Sequence, residues 1–215
     1  MPGAYGRLSF TFRTTMARAK AVDHHEKSAN ILDKASELFI AEGFSRASMT
    51  QLASACEISK ANLYHYYPDK ESILFHILND HMDEILVSLR RSFEESAEKE
   101  RLHQLILTLL RLYENADNKH RILLNDLQIL PADKQQSIRA KEREIVQFFK
   151  NAILLQYPHH GSHPKILAAT AMTILGAINW SFTWFKPGKG FSVEQYARFL
   201  TRTFEEGIGH HDPID

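Results

Sequence analysis

The sequence predicts an all-α chain, on three observations. Apolar residues recur every three or four positions over most of its length, the period of helices with one buried face. Alternating, strand-like segments are almost absent. Ser48, Ser59, Asp69 and Ser192 stand where helices would begin, and prolines and glycines fall where they would end. About nine helices are expected.

Residues 1–24 show no apolar period. Their basic side chains Arg7, Arg13, Arg18 and Lys20 have no acid among the first twenty residues, so the segment reads as a flexible basic arm, with Met16 an alternative start. From Lys27 to Phe44, Ile31, Leu32, Ala35, Leu38 and Phe39 define an amphipathic helix that ends near Gly43. Ser48 with Gln51 forms a capping box for a short second helix, whose apolar stripe is Leu52, Ala53 and Cys56. Ser59 can cap a third helix from Lys60, which Pro68 ends by disfavouring helical geometry at Tyr67. Asp69 can cap a fourth. Long helices follow at about 70–95, 100–115, 118–129, 132–156, 164–186 and 192–208. Pro131, "YPHHGSHP" and "KPGKG" separate the later ones, and Ser192 with Gln195 repeats the capping box.

The 215 residues carry 26 Lys plus Arg and 26 Asp plus Glu, which excludes a bulk polycation but not a local basic face. A single cysteine, Cys56, precludes an intrachain disulfide and suits a cytoplasmic setting. No apolar leader is read at the N-terminus. Ile166 to Phe185 is long enough to span a bilayer, yet it holds Thr170, Thr173, Asn179, Ser181 and Thr183, so a buried helix is expected and no membrane contact. GxSxG, HExxH and GxGxxG are absent, and "GKG" lacks phosphate-loop spacing, so no enzyme is expected. The paired histidines, "HHGSH" among them, lack acidic or cysteine companions; no metal site and no cofactor are expected.

Two short helices joined by a tight turn behind a longer helix form a helix-turn-helix, whose second short helix enters the major groove of double-stranded DNA. Leu63, Tyr67 and Ile58 fall on the inner face. Ser59, Lys60, Ala61, Asn62, His65 and Tyr66 fall on or beside the outer one. Asn62 suits a bidentate pair with adenine, and Lys60 a guanine or phosphate. Tyr64 and Tyr66 bring hydroxyls suited to phosphate oxygens, Lys70 an ammonium, and Ser48 and Thr50 the start of a helix.

"GFSRASMTQLASACEISKANLYHYYPDKESIL" closely resembles the DNA-binding signature of the TetR family of bacterial transcriptional regulators. The resemblance rests on Ser48 opening the second helix, Leu52-Ala53, the turn Cys56 to Ser59, Leu63-Tyr64, Tyr67 and Asp69-Lys70-Glu71. Two positions depart from the pattern: Glu57 replaces the usual turn glycine, and Ala61-Asn62 the usual Gly-Thr. The resemblance implies a DNA-binding domain at 25–72 and a ligand-binding and dimerisation domain at 73–215. It implies a homodimer through the last two helices that is released from its operator by a small hydrophobic effector. Phe75, Leu78, Met82, Leu86, Leu109, Tyr113, Phe148, Phe149 and Trp180 are the candidate ligand residues, with dimer core the preferred reading of Trp180. "GAINW" and "PGKG" are similar to members that respond to acyl- or aryl-CoA thioesters. The alternative reading is a helical dimer that binds a protein partner or a lipid-like ligand without specific DNA recognition, toward which only Glu57 leans.

Overall fold

The computed structural model describes the backbone of residues 8–115, 117–186 and 190–208, with side chains from His24 onward except at 115, 117 and 208. Among the described residues the chain is all helical, with nine α-helices and no strand. It divides into two compact units, the first running through Ile77 and the second from Leu78.

The first unit holds α1 (Leu8–Glu42), α2 (Met49–Ala55), α3 (Lys60–Tyr66) and the opening turns of α4 (Lys70–Glu95). Helix α1 begins at Leu8, inside the segment expected as a flexible basic arm, and no glycine or proline interrupts it before Gly43. Residues 1–7, with Arg7, lie outside the described residues. Gly43 closes α1 at φ +84°, its N–H donating to the Phe39 carbonyl at 2.9 Å.

The capping box opening α2 is formed: the Gln51 N–H donates to Ser48 Oγ at 3.2 Å, and the Ser48 N–H to Gln51 Oε1 at 3.0 Å. Ser59 Oγ accepts from the Asn62 N–H at 3.1 Å. Asp69 accepts from the Ser72 N–H at 2.6 Å. Tyr67, before Pro68, is extended (φ −139°, ψ 123°) and ends α3. Ile31, Ala35, Phe39, Leu52, Leu63, Ile73 and Leu74 are buried together as the core of this unit. Truncating any of the larger ones to alanine costs about 2–5 kcal/mol. Cys56 is buried with them, and burial pushes its thiol up from the ordinary value.

The turn from α2 to α3 carries the one departure that bears on the backbone. Glu57 sits at φ +56°, the left-handed region, and is the sole non-glycine to do so among the described residues. The Glu57 N–H donates to the Ser54 carbonyl at 3.1 Å and the Ile58 N–H to the Ala53 carbonyl at 3.0 Å. These are the paired bonds of a Schellman closure, which requires that conformation after the helix cap. Glutamate therefore takes the glycine geometry rather than altering the turn.

The second unit contains the remainder of α4, then α5 (Arg101–Asn115), α6 (Asp117–Asp126), α7 (Ala132–Gln156), α8 (Pro164–Ser181) and α9 (Val193–Ile208). Helix α5 packs on α9, and α7 on α8. Lys141 on α7 reaches back to α4, donating to Asn79 Oδ1 at 2.7 Å and to Asp83. "HHGSH" begins inside a 3₁₀ turn, Pro158–Ser162. Helix α8 ends at Ser181, short of the expected 186. Ser181 Oγ donates to the Ile178 carbonyl at 2.7 Å and Thr183 Oγ1 to the Trp180 carbonyl at 2.8 Å, side-chain bonds that compete with helix continuation. Beyond the turn, Trp184 and Phe185 pack on Tyr196 of α9, at ring separations of 5.3 and 4.5 Å. Among the described residues no helix is long and apolar enough to cross a membrane.

Replacing Glu57 with glycine removes a left-handed strain of about 1–2 kcal/mol, partly offset by the greater freedom of glycine in the unfolded chain, about 0.5–1 kcal/mol. Glu57→Gly is expected to raise stability by roughly 0.5–1 kcal/mol in urea unfolding followed by circular dichroism. A loss of stability there would show that the turn does not adopt this conformation.

Candidate functional site

Helix α3 has seven residues, and one of them, Leu63, is fully buried. With Leu63 inside, helical geometry turns the rest outward. Ser59, Lys60, Ala61, Asn62, Tyr64 and His65 are exposed and Tyr66 is half-buried. Lys60 Nζ stands 5.9 Å over the Tyr64 ring, and Tyr66 lies against His65 (6.0 Å) and His24 of α1 (4.6 Å). Tyr67 fixes the end of the helix, its hydroxyl 2.7 Å from Ser28 Oγ. Ser48 and Thr50 are exposed at the start of α2, though Ser48 Oγ is already engaged as the cap.

Lys70 departs from this outward set. Its ammonium donates to three carbonyls, of Phe44 (3.0 Å), Ser45 (3.2 Å) and Ala47 (3.2 Å), and stands 4.5 Å over the Phe44 ring. An ammonium has three protons. All three are committed to the loop between α1 and α2, so the structure places Lys70 as a clamp on that loop rather than as an outward cation.

In the second unit, a cavity of about 200 Å³ is lined by α4, α5, α6, α7 and α8. Of the candidate ligand residues, Met82 and Tyr113 line it. Leu78, Leu109 and Phe149 are fully buried in packing and Leu86 nearly so. Phe148 stacks edge-on with Phe93 at 5.8 Å, and Phe75 lies in the first unit beside His76. Trp180 is 68% exposed. It continues a stripe of Ala169, Met172, Thr173 and Gly176 along the outer face of α8, and Phe191 and Phe199 are exposed beside it in sequence on and before α9.

The polar members of the cavity wall were not among those candidates. They are His120, Glu142 and Asn179, and Tyr113 donates to Asn179 Oδ1 at 3.0 Å. His120 stacks on Tyr113 at 3.7 Å, and His81 lies 5.9 Å from it. Both histidines are 2% exposed, and none of their four ring nitrogens has a hydrogen-bond partner. Burial, and the nearby charge of Lys119, push His81 down to about 4. Burial, and then His81, push His120 down to about 3. Burial raises the Glu142 carboxyl against the pull of Arg139 and Arg143, and raises the Tyr113 phenol, helped by Glu142. The sequence did carry a signal for these residues. His81 falls between Leu78 and Ile85 in an apolar stripe, and Glu142 between Ile138 and Ile145 in another. Among the described residues no group of three or more His, Cys, Asp or Glu could hold a metal ion.

A helix-turn-helix with an outward polar face is followed by a second helical unit that holds a cavity. Comparison with known proteins gives the family. The tetR-family pattern of bacterial regulatory proteins matches residues 31–77, and the tetracyclin repressor-like C-terminal domain matches 95–208, more than half of the chain. The chain belongs to the TetR family. It is similar to a TetR-family transcriptional regulator from Bordetella parapertussis 12822, with 29% identity, a TM-score of 0.78, and coverage of 87% of this chain and 98% of that one. It is also similar to AibR in complex with isovaleryl coenzyme A and operator DNA, with 27% identity, a TM-score of 0.72, and coverage of 82% and 97%. The transcriptional regulator RutR of Escherichia coli K12 is 33% identical over 85 residues, 40% of this chain and 39% of RutR. The chain spans half or less of the length of the curated relatives first matched.

Two outcomes are expected. Lys70→Met should cost roughly 1–3 kcal/mol of stability in urea unfolding, because three carbonyls lose their donor, while the salt dependence of DNA binding stays unchanged. A flattened salt slope would assign Lys70 to a phosphate instead. The second concerns acid. A histidine held neutral when folded and charged when unfolded contributes fully above about pH 6.5, and its contribution falls as pH drops toward the folded value. The fold should therefore weaken between pH 7.5 and 5 by roughly 2 kcal/mol for each of His81 and His120. His120→Phe should remove its share of that slope, as read by urea midpoints at the two values.

Proposed function

We propose that this chain is a homodimeric, ligand-responsive DNA-binding transcriptional regulator, acting as a repressor released from its operator by a small hydrophobic effector. The observation that carries the reading is the outward face of α3. Lys60, Asn62, Tyr64 and His65 are exposed together on a helix whose only buried residue is Leu63. A packing unit has no use for that set, whereas a recognition helix in a major groove has. Asn62 reads a base, and Tyr64 and Tyr66 position the helix on phosphates.

The exposed stripe of α8, with small residues at Ala169 and Gly176 and large ones at Met172 and Trp180, suits a second copy of the chain. Two heads then meet half-sites about 34–36 Å apart or a multiple of that. The cavity is the effector site. Met82 and Ile85 of its wall lie on α4, the helix that begins in the head with Ile73 and Leu74. An effector that binds one state of α4 better than the other shifts the population of heads fit for DNA. The isovaleryl coenzyme A bound to AibR supports an acyl- or aryl-CoA thioester as the effector class.

Fluorescence anisotropy on labelled DNA from upstream of the chain's own gene, with scrambled DNA as competitor, tests the reading. Competitor-resistant binding is expected, and Asn62→Ala should cost roughly 1–3 kcal/mol on that DNA and little on scrambled DNA. Equal weakening on both would remove Asn62 from base reading. Binding without preference, on this DNA and in a genome-wide selection, would favour the helical dimer that recognises no DNA sequence.

A further inference from the structure

We infer that the effector places in the second unit's cavity a group about one ring in size bearing an uncharged head that both donates and accepts hydrogen bonds, a hydroxyl or carboxamide, with His120 as its anchor. The inference rests on the reading of the cavity as the effector site.

Size sets the first limit. The cavity is about 200 Å³, and a cavity of ~150 Å³ is enough for benzene. Its greater part is apolar, from Met82, Ile85, Leu123, Ile145, Met172 and Leu175. The coenzyme portion of a thioester does not fit such a space, whereas a short acyl or aryl end does.

The polar corner sets the second. His120 forms part of the wall, with Tyr113 stacked on one side of it and the His81 ring 5.9 Å away, edge-on. All four nitrogens of the two rings are without partners although both residues are 2% exposed. Buried polar atoms in folded proteins are nearly always bonded, and each orphan is destabilising. A neutral imidazole offers one N–H and one lone pair. The complement of that set is a group that gives and takes at once. A hydroxyl or carboxamide can meet the ring nitrogen that faces it in either tautomer of His120, whereas a carboxylate can only accept and an ammonium only donate. Charge argues the same way. An anion would be buried beside the Glu142 carboxylate with uncharged rings for company, and Glu142 is already drawn on by Arg139 and Arg143 as a partner for a cation. Lys119 is a cation near His81, the histidine outside the cavity wall. The Tyr113 hydroxyl and Asn179, bonded to each other on the same wall, give the head group a second polar neighbour.

Calorimetric titration of the full-length protein with toluene, phenol, benzoate and benzylamine, and with benzoyl-CoA beside 4-hydroxybenzoyl-CoA, tests the inference. Phenol is expected to bind about tenfold more tightly than toluene, benzoate or benzylamine. His120→Phe, which keeps the stack on Tyr113, should abolish that preference and leave toluene binding intact. In nitrogen-15 spectra phenol, but not toluene, should shift the His120 ring signals, a readout that needs no variant. If the preference appears with the free phenols alone, the effector is a free small molecule; if 4-hydroxybenzoyl-CoA exceeds benzoyl-CoA as well, it is the acyl end of a thioester. Equal binding of phenol and toluene, a preference for either charged probe, or a preference that survives His120→Phe overturns the inference. The regulator reading fails separately: it falls if the protein shows no operator preference, whatever the cavity binds.

Discussion

Leu63 is the residue on which the presentation of the head depends. A seven-residue helix is too short to be stable alone and takes its orientation from what it buries. Leu63 inside and Tyr67 tied to Ser28 fix both the rotation and the end of α3. The outward set then follows from the helical period alone. The same logic explains the tolerance of Glu57. The backbone bonds of the turn are made by N–H and C=O groups that every residue has, so a glutamate sustains the closure at a cost in strain without altering where α3 begins. Glu57 thus stops being a reason to regard the head as vestigial.

The second unit depends on a different balance. Most of its interior is unspecific packing by leucine, isoleucine and phenylalanine. Into that packing the sequence sets a histidine, a phenol, an amide and a carboxyl around one small space, with a second buried histidine 5.9 Å from the first. Neutral rings are tolerated there because their charged forms are not, which is the origin of their depressed proton affinity. The ring nitrogens of His81 and His120 have no hydrogen-bond partner inside the fold.

Much of the architecture was legible in the sequence because its signals are local. The serine and aspartate caps, Pro68 and the apolar stripes specify helices within a few residues, and they predict α2, α3 and α7 closely. The outward face of α3 was legible for the same reason. What was not legible depended on long-range contacts. Lys70 reads as an exposed cation until Phe44, Ser45 and Ala47 are brought beside it, 23 to 26 positions away in the chain. The beginning of α1 has no apolar period, and helix propensity alone leaves no amphipathic trace. Among the ligand candidates, apolar character could not separate Phe149, which fills the core, from Met82, which faces a cavity. The polar residues within the apolar stripes, His81 and Glu142, were the more informative ones.

Cys56 closes helix α2 from the inside of the head, and burial disfavours its thiolate. Because thiolate is the reactive form, peroxides and alkylating agents find little to attack while the head is folded. As the chain has no other cysteine, its wild-type thiol chemistry is nearly silent. A cysteine introduced at an exposed position can be labelled selectively, and distances between paired spin labels or fluorophores then become measurable against a blank background.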